Sequence, residues 1–340
     1  MAVVDFGIVA MASCLGEPYD VAGEGQRLGV NAHMVKTMGF QTLHKAPGGV
    51  TTADFGVSAA AAALAGAGLD TSDVDLLVTA SGNLPEYLHW DLSTAIARDL
   101  GLRDTPTQCL TQACLSAVLA FETIAGLFLT RSELQTVLLV SAERVSDAHV
   151  NRLGNGTTAD SDGAVAAVVR RGHPSLRWLA SEQLTDPTYS DFFRLEYGGN
   201  AAPVAPPGRS NRDVDHGHSI FTFFRGDAER FSAYATMTNA RIAEAIDGAC
   251  KRAGVQRADI SRVILLHANQ VAMRNAAAAL NVPLEQTNAE LAAALGHFGG
   301  MDPLVSLDVM MERGELRPGD LVALAGMSSG LHWFCTLVEV

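Results

Sequence analysis

The feature that most constrains this chain is an internal repeat. GLDTSDVDLLVTASGN, from Gly68 to Asn83, lies over GVQRADISRVILLHAN, from Gly254 to Asn269, at an offset of 186 residues. Gly68 and Gly254, Asp73 and Asp259, and Asn83 and Asn269 are identical pairs, and the apolar residues between them are chemically equivalent. An Ala-rich stretch of helical length precedes each copy, and a polar stretch, a turn, a helix and another apolar strand follow it. One βαβ-rich unit used twice and packed on itself is the economical reading. It divides the 340 residues into halves 1–172 and 173–340. Each half is then of ordinary domain size.

Within each half, short apolar runs alternate with longer helical stretches, which predicts an α/β fold. The strand candidates Asp75–Ala80, Val137–Ser141, Ala164–Val169, Arg262–Leu266 and Leu321–Ala325 are nearly continuous in aliphatic residues, as strands covered on both faces must be. Helices are expected at Thr52–Ala67, Leu115–Leu129, Phe231–Ala253, Ala272–Leu280 and Pro303–Arg313, and the N-terminal stretch reads as a strand. From Leu184 to Ile220 the chain is rich in Gly, Pro, Asp, Asn and Arg and predicts a long irregular insertion. The most apolar stretch, Ala59–Leu69, is about half the length of a membrane span. With 48% hydrophobic and 18% charged residues, the chain is not disordered. A net charge of −13 argues against nucleic acid or an anionic membrane as partner and, with few scattered cysteines, suits the cytoplasm.

A duplicated α/β unit brings corresponding strand ends to a common centre, where open α/β sheets bind ligands. The residues expected there are Cys114, His267 and His297. Cys114 lies just before an apolar helix, whose dipole and free N–H groups favour thiolate over thiol. Its own N–H is a candidate oxyanion donor, with Ser329 of GMSSG as the second. His267 ends the run RVILLH, and His297 lies in the Gly-flanked turn LGHFGG, where backbone and substrate can approach closely. Two imidazoles beside a thiol supply a nucleophile with acid/base partners. Asn269 and Phe298 are neighbouring candidates for substrate contact. The other cysteines, Cys14, Cys109, Cys250 and Cys335, read as small buried hydrophobes, and DVDHGH (Asp213–His218) reads as a solvated loop rather than a metal site. No cofactor is called for.

The pieces QACLSAV around Cys114, SDGAVAAVV, LLHANQ, LGHFGGMDPLVSLD and RPGDLVALAGMSSGLHWFCTLVEV resemble, in order and spacing, the β-ketoacyl-acyl-carrier-protein synthase III family. The resemblance spans essentially the full length. It implies a thiolase-like, duplicated αβαβα five-layered fold and a homodimer. It implies that Cys114 accepts an acyl group from an acyl carrier protein or coenzyme A thioester, with His267 as first acid/base partner. A loop from the partner subunit, here Leu84–Trp90, would cap the acyl pocket through Tyr87 and His89.

The departures from that family are informative. It usually has Asn where this chain has His297, giving Cys-His-His, a set that the chain-elongating synthases of the superfamily use. The Trp and Arg that grip coenzyme A align roughly with His33 and Gly154, which favours a carrier-protein donor. A basic patch of Arg225, Arg230 and Arg274 would dock such a carrier. Some members of the family pass the acyl group to a hydroxyl or amine of a natural product, and altered triads are common among them. The expectation is therefore acyl transfer from Cys114 to a small-molecule hydroxyl or amine acceptor in secondary metabolism, as in antibiotic or polyketide biosynthesis. The alternatives are decarboxylative condensation with a malonyl carrier protein and, from another class, a non-catalytic ketosynthase partner subunit.

Overall fold

The computed structural model describes residues 4–83 and 86–340. Its strands are β1 (Phe6–Leu15), β2 (Glu17–Asp20), β3 (Thr42–Lys45), β4 (Leu76–Ala80), β5 (Thr107–Leu110), β6 (Thr136–Glu143), β7 (Gly163–Arg171), β8 (Arg177–Thr185), β9 (Ile260–Leu265), β10 (Leu321–Ser328) and β11 (His332–Glu339). Its helices are α1 (Val21–Leu28), α2 (Ala32–Met38), α3 (Thr52–Ala67), α4 (Leu92–Leu100), α5 (Ser116–Thr130), α6 (His216–Phe223), α7 (Ala228–Ala253), α8 (Gln270–Leu280), α9 (Ala289–Leu295) and α10 (Asp302–Glu312).

Nine strands run in the order β5-β4-β6-β7-β1-β8-β11-β10-β9, while β2 and β3 pair separately. The nine fall into two groups joined between β1 and β8 by a single pairing, Gly7 with Arg177. Within each group the pattern is the same. β4 and β6 are parallel and β6 and β7 antiparallel; β9 and β10 are parallel and β10 and β11 antiparallel. The second group lacks a full counterpart of β5, whose place is marked by one bridge between Val263 and Thr287. Residues 172 and 173 lie in the turn between β7 and β8.

Alternation along the strands accounts for the layers. In β4 and β6, Leu76, Val78, Val137 and Leu139 point to a central core, while Leu77, Leu138 and Val140 point outward to α3 and α4. In β9, Ile264 joins the central core, and Val263 and Leu265 face α7 and α8. The centre itself is filled by α5 and α10. The order is thus helix, sheet, helix, sheet, helix, the five layers of a duplicated thiolase-like fold. Burying Phe121 and Phe128 of α5 contributes about 2–3 kcal/mol each, enough to fix an apolar helix between two sheets.

The identical residues of the repeat are punctuation. Gly68 and Gly254 close α3 and α7 in the left-handed region, at φ 66° and 74°. Asp73 and Asp259 each accept the amide three residues back, from Asp70 at 3.0 Å and from Gln256 at 2.8 Å.

Three expectations are corrected. Ala113–Thr130, not Ala59–Leu69, is the stretch long and apolar enough to cross a membrane, with a mean hydropathy of 1.8, yet half of it is buried in the central layer. Cys109 is exposed on the edge strand β5 and Cys14 is half-buried; only Cys250 and Cys335 are buried hydrophobes. The insertion is irregular only up to Asp215, after which Asp215 caps α6 by accepting the His218 amide at 2.9 Å.

Candidate active site

Cys114 stands on a tight elbow between β5 and α5. Ala113 is in the left-handed region, at φ 47°, a conformation that a residue with a Cβ adopts only when its surroundings impose it. Here Ser116 imposes it. Its hydroxyl accepts the Gln112 amide at 2.8 Å and lies 2.8 Å from the Ala113 carbonyl, while the Ser116 amide donates to that carbonyl at 3.1 Å. Two glycines let the rest of the protein close on the elbow. A Cβ on Gly82 would come within 2.8 Å of the Ala113 backbone, and one on Gly300 within 3.0 Å of the Ala113 carbonyl oxygen.

Facing the sulfur is His297, with Nε2 3.7 Å from Cys114 Sγ. Its Nδ1 lies 2.6 Å from Asp302 Oδ2. Asp302, the first residue of α10, is fully buried and also accepts the Phe298 amide at 2.6 Å and the His267 amide at 2.8 Å. Burial alone would push the His297 imidazole down, but the Asp302 charge and hydrogen bond outweigh it and hold the imidazole well above its ordinary value. Sulfur, imidazole and carboxylate therefore form a line in which the ring can take the thiol proton and the carboxylate stabilises the imidazolium that results.

His267 does not join that line, which corrects the expectation of two imidazoles around one sulfur. Its Nδ1 donates to the Gly296 carbonyl at 2.5 Å, and its Nε2 accepts from the Ser306 hydroxyl at 2.7 Å. The Ser306 oxygen in turn accepts from Asn288 Nδ2 at 2.9 Å, which fixes the direction of the chain of bonds. With no exposed surface, His267 is pushed down by burial and held neutral. It anchors the turn that carries His297. Both histidines line the same cavity, but only His297 faces the sulfur.

That cavity, of about 570 Å³, is lined by Cys114, His267, His297 and Ser329 together with apolar side chains. The amides of Cys114 and Ser329 have no hydrogen-bond acceptor among the described residues. Phe193, Leu195 and Ile220 from the insertion join Phe231 and Tyr234 of α7 in its wall. His216, expected in a solvated loop, is half-buried in that wall too. Asn269 and Phe298 do not line the cavity. Asn269 caps α8 by accepting the Ala272 amide at 2.8 Å and donates to the Gly156 carbonyl at 3.0 Å. Phe298 is fully buried in the core against the His44 ring. Leu84 and Pro85 of the expected capping loop lie outside the described residues; Tyr87 is 67% exposed and its ring meets Trp90 edge-on. Among the described residues no cluster could hold a metal ion.

Sequence reasoning missed Asp302 and Asp160, both acidic residues at this centre. A signal for Asp302 existed: an Asp-Pro pair opening a helix five residues after His297.

Two family models match the chain, both described as 3-oxoacyl-[acyl-carrier-protein] synthase III: one over residues 110–187 and the C-terminal one over residues 250–340. A β-ketoacyl-[acyl-carrier-protein] synthase III of Trichormus variabilis is 27% identical over 82% of this chain and 80% of its own. Among solved structures, the acyltransferase ChlB3 superposes with a TM-score of 0.85 at 23% identity, covering 99% of this chain and 98% of its own. The 3-oxoacyl-(acyl carrier protein) synthase III of Pseudomonas aeruginosa superposes with a TM-score of 0.79 at 22% identity, covering 98% of each chain. In each half the chain thus matches the 3-oxoacyl-[acyl-carrier-protein] synthase III family, and it shares the five-layered fold of that family's solved structures.

Proposed function

We propose that this enzyme takes an acyl group from a carrier-protein or coenzyme A thioester onto Cys114 and passes it to a hydroxyl or amine of a small molecule. The single observation that carries this reading is the line from Cys114 through His297 to Asp302. His297 Nε2 takes the thiol proton and the sulfur attacks the donor carbonyl. The oxyanion is received by the free amides of Cys114 and Ser329, and the donor thiolate leaves with the proton from His297. In the second half-reaction His297 takes the acceptor's proton, the acceptor attacks the thioester, and the proton returns to Cys114. The Cys114 S–C bond breaks as the ester or amide bond forms; no carbon–carbon bond is made and no carbon dioxide leaves. His267, with both ring nitrogens engaged, is a positioning residue in this scheme.

The cavity's charge favours this over decarboxylative condensation. Among the described lining residues there is one carboxylate, Asp160, and no Lys or Arg to receive a malonyl carboxylate. A non-catalytic partner subunit would have no need of the aligned relay. Arg225, Arg230 and Arg274 are exposed, as docking an acidic carrier requires. The open edge of β5 could pair with a second copy to make a homodimer. A cytoplasmic location and a role in secondary metabolism belong to the same proposal.

Intact mass after exposure to an acyl thioester should show one added acyl group on the wild type and none on Cys114→Ala. Carbon dioxide release from a malonyl carrier, with a β-ketoacyl product, would overturn the choice of acceptor.

A further inference from the structure

We propose that Asp160 selects the acceptor, binding a protonated amine that the small molecule carries near the group to be acylated. The proposal rests on the acyl-transfer reading above and names the substrate class for the same cavity.

Asp160 is tied to His297 by backbone. The two residues form a β-bridge, with the His297 amide donating to the Ala159 carbonyl at 2.7 Å and the Ser161 amide to the His297 carbonyl at 2.7 Å. The carboxylate and the catalytic imidazole therefore line one cavity from adjacent positions. One carboxylate oxygen is held: Oδ1 accepts from the Thr158 hydroxyl at 2.7 Å, and that hydroxyl accepts from Asn155 Nδ2 at 2.7 Å. The other oxygen has no hydrogen-bond partner and no ion-pair partner among the described residues.

The lining offers little positive charge to settle this carboxylate: the His297 imidazole, held well above its ordinary value, shares its charge with Asp302. Among the described residues the lining contains no Lys or Arg. His216, the titratable group from the insertion, is pushed down by burial and stays neutral near pH 7. Burial pushes Asp160 up, and the charges of His297 and Arg152 with the Thr158 hydrogen bond bring it only partly back. A half-buried carboxylate with one free oxygen gains from a charge-assisted hydrogen bond, and an ammonium supplies it. A neutral acceptor would leave the charge uncompensated, and an anionic one would be repelled. The apolar wall from Phe193, Ile220, Phe231 and Tyr234 then fits the hydrocarbon body of the same molecule.

The test uses acyl-enzyme formed from an acyl N-acetylcysteamine thioester and follows its decay by intact mass, so that rates refer to loaded protein. The acceptors are dimethylaminocyclohexanol, which cannot be acylated on nitrogen, and its neutral isostere isopropylcyclohexanol. In the wild type the amine should accelerate decay about tenfold or more over the isostere, a modest gain for one charge-assisted contact. Asp160→Asn keeps the side chain's shape and should bring the two rates together. Equal rates in the wild type, or a preference that survives in Asp160→Asn, overturn the assignment of Asp160. Acyl-enzyme that neither alcohol accelerates removes the acyl-transfer reading and this inference with it; turnover of the neutral alcohol alone leaves that reading standing and removes only the inference.

Discussion

At Gln112–Ser116 and, 186 residues on, at Phe298–Asp302, the two halves build the same turn for different purposes. In each, the first residue of a central helix accepts the amide four residues back: Gln112 to Ser116 Oγ at 2.8 Å, Phe298 to Asp302 Oδ1 at 2.6 Å. In each, that same side chain reaches the end of the corresponding strand, through the Ser81 carbonyl in one half and the His267 amide in the other. The difference lies in what the turn carries. The first holds Cys114; at the matching position the second has Gly300, which packs against the first turn. Asp302 has the charge that Ser116 lacks, and spends it on His297. A duplicated scaffold thus becomes one asymmetric site. In the proposed reaction one turn keeps the nucleophile, and the other gives up its side chain at that point and supplies the base and its carboxylate.

Substitutions can break this division of labour. The largest effect is expected from Asp302→Asn, which gives the second turn an uncharged residue like the first. Acyl transfer should fall by roughly two to four orders of magnitude. Alkylation of Cys114 by iodoacetamide at neutral pH should slow with it, because Asp302 no longer holds the imidazole that takes the thiol proton. An unchanged rate would separate Asp302 from the relay.

Gly300→Ala places a methyl group within 3.0 Å of the Ala113 carbonyl and pushes the two turns apart. A misplacement of the nucleophile costs up to about a hundredfold in acylation rate, which intact mass over time would measure. A variant that acylates at the wild-type rate would show that the contact between the turns is dispensable.

Ser306→Ala removes the partner of His267 Nε2 and leaves Asn288 one acceptor short. Chemical denaturation should show a loss of about 1–3 kcal/mol. Alkylation of Cys114 at neutral pH should keep the wild-type rate; a loss like that of Asp302→Asn would return His267 to the sulfur.

The smallest effect is a pH dependence of stability. His297 is held well above 6.5 in the folded protein, so the stability it contributes is complete below its unfolded value. That contribution is lost as pH rises through the folded value. The gap in Tm between wild type and His297→Gln should be widest near pH 6 and narrow as pH rises. A gap that widens would reverse the sign assigned to the pair.

How far the site could be read in advance follows from the same turns. Cys114 and His297 are marked by local chemistry, a thiol before an apolar helix and an imidazole among glycines, and both positions are where the sequence placed them near the cavity. His267 carries the same local marks as a catalyst, ending a buried strand beside the cavity, yet its direction depends on Ser306 and Asn288, residues 39 and 21 positions further on. Asn269 and Phe298 stand within two residues of histidines along the chain, but a helix cap and the start of a 3-10 turn point them away. Adjacency in sequence does not fix side-chain direction.

What the sequence by itself determined is the scaffold: the duplication, the buried strands, most of the helices and the punctuation by Gly68, Gly254, Asp73 and Asp259. These rest on periodicity, hydrophobicity and backbone conformation, which act over a few residues. Only the tertiary structure decided which imidazole faces the sulfur, that Asp302 stands behind it, and that Asp160 and His216 share its cavity. Those outcomes depend on directional hydrogen bonds whose partners lie from 5 residues apart, as His297 and Asp302 do, to 183, as Cys114 and His297 do, and nothing in the local pattern of a chain sets the direction of such a bond.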